Sequence, residues 1–212
     1  MKMSTAVLTV TFLLLVAGAC GQNNEQATAQ QGTGGASGVK PAAARTVEGK
    51  FKWYHDWDTG MAAAKKEKKP VLVHFTADWC KFCVKMKKET YASDMIQKRF
   101  KNSWIGIMID TEEKGATGTV YVNESKRSAL TYLQGENASF TPKKLGNQEL
   151  LQFFGGMGLP TLLFIDKDGT PVQKISSFIP KEEFAVILDF FKEEAYKSVS
   201  YDDFKKKHRQ RG

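Results

Sequence analysis

Cys80 and Cys83 stand two residues apart in the stretch TADWCKFCVKM, Thr76 to Met86, directly after an apolar run. A Cys-x-x-Cys pair can support thiol–disulfide exchange, supply half of a zinc site, or consist of two inert buried thiols. Exchange needs an attacking sulfur that is partly thiolate and reachable. The start of a helix supplies both, because unpaired N–H groups and the helix dipole favour negative charge there. A second sulfur one turn along can then resolve the mixed disulfide that the first one forms. On this pattern Cys80 is the nucleophile and Cys83 the resolving thiol. Lys81, Lys85 and Lys88 add positive charge around the helix start, weakened by salt because exposed charges are screened. Trp79 offers a flat wall beside the reactive sulfur. Zinc wants four ligands, whereas the chain past its N-terminal region holds no second cysteine pair and only His55, His74 and His208, so no metal is expected. No cofactor is needed either, because the electrons reside on the sulfurs.

The elements that would position this pair alternate along the chain. Asp58 to Lys68 is rich in Ala and Lys and predicts a helix that Pro70 ends. Val71 to Thr76 reads as a strand buried on both faces. Cys80 to Phe100 follows as one helix, with Cys83, Met86 and Thr90 at helical spacing and Ile96 and Phe100 continuing the apolar side. Trp104 to Asp110 is a second buried strand. Residues 111–146, with Gly115, Gly118, Gly135 and Pro142 and only a faint helical pattern over Ser125 to Leu133, read as an insertion. Asn147 to Phe154 predicts a short helix, and Thr161 to Ile165 and Val172 to Ser176 form a hairpin around the turn Asp166 to Gly169. Pro180 opens a last helix, whose buried stripe is Phe184, Ile187, Leu188 and Phe191. The order β-α-β followed by α-β-β-α describes an α/β domain with a central mixed sheet flanked by helices.

At 212 residues the chain has room for one such domain plus extensions, and 42% hydrophobic content is that of a globular protein. Thirty-one Lys and Arg against 23 Asp and Glu give a formal charge of +8, a basic surface that by itself names no partner, and no nucleic-acid partner is expected. Residues 1–20 read as an export signal: Lys2, the apolar run Val7 to Val16, then Ala17-Gly18-Ala19-Cys20. This ending resembles the bacterial lipobox, in which the cysteine is lipidated; Ala17 stands where Leu is usual. Lipidation of Cys20 would anchor the protein to a membrane and leave Cys80 and Cys83 as a matched pair. Residues 21–45 lack large apolar side chains and read as a tether, with a coil dimension of roughly 25 to 30 Å. The domain itself is expected over residues 46–198. The end, 199–212, reads as a solvated basic tail, or more sharply as one drawn to anionic headgroups.

The paired stretches VLVHFTADWCKFC and GLPTLLFIDKDG resemble the thioredoxin superfamily over about Trp53 to Tyr196, and Ala77-Asp78-Trp79-Cys80 is similar to the C-terminal domain of the thiol:disulfide interchange protein DsbD. The resemblance implies a thioredoxin fold with an insertion before a cis-proline motif. It also implies that Pro160 is cis and lies beside the cysteines, with the Leu159 backbone able to pair with a bound substrate strand. Protein disulfides of the cell envelope are the implied substrates, and a membrane thiol relay the implied electron donor. The chain departs from the family pattern at three points. His74 stands where an Asp is usual, an acid that helps move protons to and from the second cysteine; an imidazole with a pKa near neutrality could do the same. Lys81-Phe82 between the cysteines is neither a reducing nor an oxidising signature. The insertion is larger than in either relative. An oxidase or isomerase of the same fold, and a Cu(I)-binding module, are the alternatives.

Overall fold

In a computed structural model that describes residues 51–131 and 139–210, a five-stranded sheet carries the residues singled out above. Its spatial order is β1 (Trp53–Tyr54), β3 (Ile105–Asp110), β2 (Val71–Thr76), β7 (Thr161–Ile165) and β8 (Pro171–Ile175). β2 pairs parallel with β3 and antiparallel with β7, so the sheet is mixed, as expected. The signal segment, Cys20 and the tether lie outside the described residues.

The apolar runs follow from burial on both faces, with side chains alternating at a period of two. Leu72, Met108, Leu162 and Phe164 face one layer with Met86, Tyr91, Phe100 and Phe184. Val73, Phe75, Ile107, Ile109 and Leu163 face the other with Trp57, Met61 and Leu150. Each fully buried side chain of this size contributes about 1.5 to 3 kcal/mol. The first layer holds α2 (Lys81–Lys85), a π-helical turn (Met86–Tyr91), α3 (Asp94–Phe100) and α5 (Lys181–Lys192); the second holds α1 (Trp57–Glu67) and α4 (Asn147–Phe153).

The single helix expected over Cys80 to Phe100 is broken. After the π-helical turn, Ser93 is extended (ψ 138°) and its carbonyl accepts from Ile96 and Gln97, starting α3 afresh. The faint helical pattern inside the insertion is also corrected. Residues β4 (Thr117–Asn123), β5 (Ser128–Leu130) and β6 (Thr141–Gly146) form a second, antiparallel sheet in the order β5-β4-β6. α1 holds it: Trp57 donates its indole N–H to the Thr119 carbonyl at 3.0 Å, and Asp58 accepts from the Thr119 N–H at 2.8 Å. Gly118 permits that approach, since a Cβ there would lie 2.4 Å from Trp57 Cγ.

The end of the chain is not a solvated tail. Residues Tyr201–Arg209 form α6, capped by Ser200, whose hydroxyl accepts from the Asp203 N–H at 3.2 Å. Its Phe204 is buried with a ring centroid 5.2 Å from Phe190 of α5, and His208 Nε2 lies 2.9 Å from the Asp189 carboxylate. The helix beginning after Pro180 is therefore not the last, and Pro180 serves as its N-cap residue.

Candidate active site

β2 is the central strand, and the pair follows its C-terminal end. Its end is fixed by the Thr76 carbonyl, which accepts from the N–H and the hydroxyl of Thr111 at 2.9 and 3.2 Å. A turn closed by Cys80 N–H to Ala77 C=O (3.1 Å) then brings Cys80 to the N-cap of α2. There its sulfur accepts from the Cys83 N–H at 3.1 Å, so the Cys80 sulfur satisfies one of the unpaired donors of the helix start. The same arrangement would stabilise a thiolate on Cys80. The two cysteines form a disulfide with Cα atoms 5.2 Å apart. Cys80 keeps 3% of its surface and Cys83 none, so an incoming thiolate can approach the pair only from the Cys80 side.

Trp79 stands beside the pair, 64% exposed, and donates its indole N–H to the Glu112 carboxylate at 2.7 Å. Trp79 and Leu159 line one groove with Glu112 and Met157, so the two segments that flank the candidate site face the same cleft. The Leu159–Pro160 peptide bond is cis and Pro160 is buried. Further along the same helical stretch, Thr90 donates its hydroxyl to the Ile179 carbonyl at 2.7 Å, tying the π-helical turn to the segment before α5.

His74 is fully buried. Its strand neighbours are Met108 and Leu162, and Tyr91 packs edge-on with ring centroids 5.5 Å apart. Neither ring nitrogen has a hydrogen-bond partner among the described residues, nor does the Tyr91 hydroxyl. Desolvation, helped by the positive charge of Lys87, lowers the His74 pKa to about 3. The expectation of a pKa near neutrality is thus corrected: the ring is a neutral imidazole at neutral pH. A ring held neutral in this way is a poor base toward a thiol of ordinary pKa.

The model of the family described as Thioredoxin-like domain matches residues 57–192. The chain belongs to the thioredoxin-like family. It is similar to the thiol:disulfide interchange protein DsbD of Yersinia pestis, 25% identical over 123 residues, and to that of Vibrio vulnificus, 28% over 126 residues. These alignments take in 57% and 58% of this chain but only 16% of each relative, so the chain spans about one sixth of the length of the curated relatives it matches. A solved thioredoxin-fold protein from Helicobacter pylori superimposes with a TM-score of 0.51 at 18% identity, covering 68% of this chain and 81% of the other. The thioredoxin-like fold together with the Cys80–Cys83 pair matches the thiol:disulfide oxidoreductases, and disulfide redox chemistry is its function.

Sequence reasoning missed several groups at this thioredoxin-like site. Glu112 carries no signal in the chain, because its partner Trp79 is thirty-three positions away. Met157 did carry one: a large apolar residue between Gly156 and Gly158, just ahead of Pro160, has no core to enter. Phe178 lies at a tilt near Phe82, with ring centroids 6.5 Å apart, across another long separation.

Proposed function

We propose that this chain is an exported, lipid-anchored reductase of protein disulfides in the bacterial cell envelope. The Cys80 thiolate attacks a partner disulfide, forming a mixed disulfide and expelling one partner thiolate. Cys83 then attacks the Cys80 sulfur, the second partner thiolate leaves, and the domain is left as the Cys80–Cys83 disulfide. Two electrons pass to the partner. A membrane thiol relay returns two electrons to the domain, and two protons restore the thiols; failure of such a relay to reduce the domain in vitro would count against that donor. Leu159 and Pro160 shape the groove in which the substrate strand lies, and Trp79 walls it.

The observation that carries the reading is the disulfide at a helix N-terminus, with only its Cys80 side approachable, in a thioredoxin-like domain related to DsbD. The export signal, lipidation at Cys20 and the tether over residues 21–45 rest on the sequence pattern and would put the domain within reach of envelope partners. A role for His74 in moving protons to and from the second cysteine would require a partner for its ring, and neither ring nitrogen has one among the described residues. Replacement of His74 by Leu with no change in the pH profile of disulfide reduction rejects that role.

Cys83→Ser provides the test of the mechanism. It should accumulate a mixed disulfide through Cys80, visible by mass spectrometry as a covalent adduct that dithiothreitol removes. Adduct formation through Cys83 in a Cys80→Ser chain, with none through Cys80, would invert the assignment.

A further inference from the structure

Four of the five most exposed large hydrophobic side chains among the described residues cluster in the segments that frame the dithiol: Trp79, Phe82 (58%), Val84 and Met157 (98%). The fifth, Val199, lies elsewhere. Exposed apolar groups gathered in this way mark a binding surface rather than chance. Its two sides differ in charge. On the Trp79 side, Glu112 is the only charged group among the lining residues, and its carboxylate is engaged by the indole. On the Phe82 side, Phe178 borders a groove lined by Lys85, Lys88 and Lys181 against Glu89 and Glu182. Residues 81–88 contain four lysines and no carboxylate.

The glutamates in that groove leave the cations available. Lys85 lies 3.8 Å from Glu89 and Lys181 3.9 Å from Glu182, both at the limit of ion pairing and in exposed side chains, where such pairs contribute little. Lys85 instead sits over the Phe178 ring at 4.5 Å, a contact that fixes the ammonium beside the apolar patch without neutralising it. Lys81 and Lys88 make no ion pair among the described residues.

From this asymmetry we infer that the rim of the Cys80–Cys83 pair docks a disulfide-bearing protein segment with apolar residues toward Trp79 and Met157 and acidic residues toward Lys81, Lys85 and Lys88. The inference rests on the proposed exchange at Cys80 and adds the class of substrate. Charge complementarity of this kind acts chiefly on the rate of encounter and is suppressed by salt.

Two synthetic peptides with the same internal disulfide, one flanked by glutamates and one by lysines, separate the possibilities. The reduced full chain should reduce the acidic peptide about ten times faster at low ionic strength, with the ratio falling toward one at about 0.5 M salt. In Lys85→Glu/Lys88→Glu the preference should reverse, and the ratio within each protein cancels any effect on thiol reactivity. Equal rates for both peptides at low salt in the unmodified chain overturn the inference, whatever the variant does. So does an unchanged ratio in the variant. Should both ratios equal one while the variant alone loses binding to vesicles of anionic lipid, the surface belongs to the membrane and the inference fails. Hydroxyethyl disulfide, uncharged and small, keeps the underlying reading separate: if the unmodified chain cannot reduce it, thiol exchange itself is at fault; if it does, only the substrate class is in question.

Discussion

Replacing His74 by Leu should remove one defined component of the acid sensitivity of the fold. The imidazole has a pKa of about 3 when buried and an ordinary value of 6.5 when the chain unfolds. Because the unfolded state binds the proton more readily, stability falls as the pH drops from about 6.5 toward about 3 and is fully retained above 6.5. At pH 4.5 the unfolded histidine is protonated by a margin of two pH units while the buried one remains neutral, a loss of about 3 kcal/mol relative to pH 7.5. With a urea slope of about 2 kcal/mol/M, that loss moves the unfolding midpoint by roughly 1.5 M. His74→Leu should lack this component. At pH 7.5 the leucine should be neutral or stabilising, since it also removes two ring nitrogens that have no partner among the described residues. The assay is urea unfolding of both proteins at the two pH values, where the double difference cancels the carboxylates common to both. Parallel losses of stability on acidification would refute the burial argument and mean that the ring is already solvated or partnered in the fold.

Glu112→Gln should weaken the bond that holds the Trp79 indole, costing no more than about 1 kcal/mol of stability because the site is exposed, but raising the mobility of the indole as read by nitrogen-15 relaxation of its ring N–H in the otherwise intact chain. Gly118→Ala should destabilise by about 1 to 3 kcal/mol, because its methyl group would meet Trp57 at 2.4 Å; a calorimetric melting point equal to that of the parent chain would contradict the close approach of α1 to β4. Phe204→Ala should cost about 3 kcal/mol and expose the amides of α6 to hydrogen exchange, whereas a true tail would show neither effect.

The central strands were legible because burial on both faces writes them as short apolar runs, and Val71–Thr76 and Thr161–Ile165 have the expected bounds. The dithiol was legible because its chemistry is local: spacing, helix start and neighbouring lysines all lie within one segment. What depends on distant partners was not. The break at Ser93 interrupts an apolar pattern that continues through Ile96 and Phe100, so periodicity alone joins what the backbone separates. β4 alternates only weakly in residue type, with Gly118 and Val120 turned inward against α1, and its pairing with β6 joins Val122 to Thr141, far apart in the chain with β5 between them. α6 had a readable stripe, Tyr201, Phe204 and His208 at helical spacing, masked by the surrounding lysines. His74 was found by its place in the strand, but its pKa is set by burial, to which neighbours distant in the chain such as Met108, Leu162 and Tyr91 contribute, and by the charge of Lys87.

The reduction potential of the Cys80/Cys83 couple tests the proposed direction of electron flow most directly. The protein would be equilibrated against glutathione or dithiothreitol buffers of known poise and its free thiols counted. A reductase fed by a membrane relay requires a value near or below about −230 mV, toward the thioredoxin end of the range; a value near about −120 mV, toward the DsbA end, would contradict it and make the chain an oxidant of its partners.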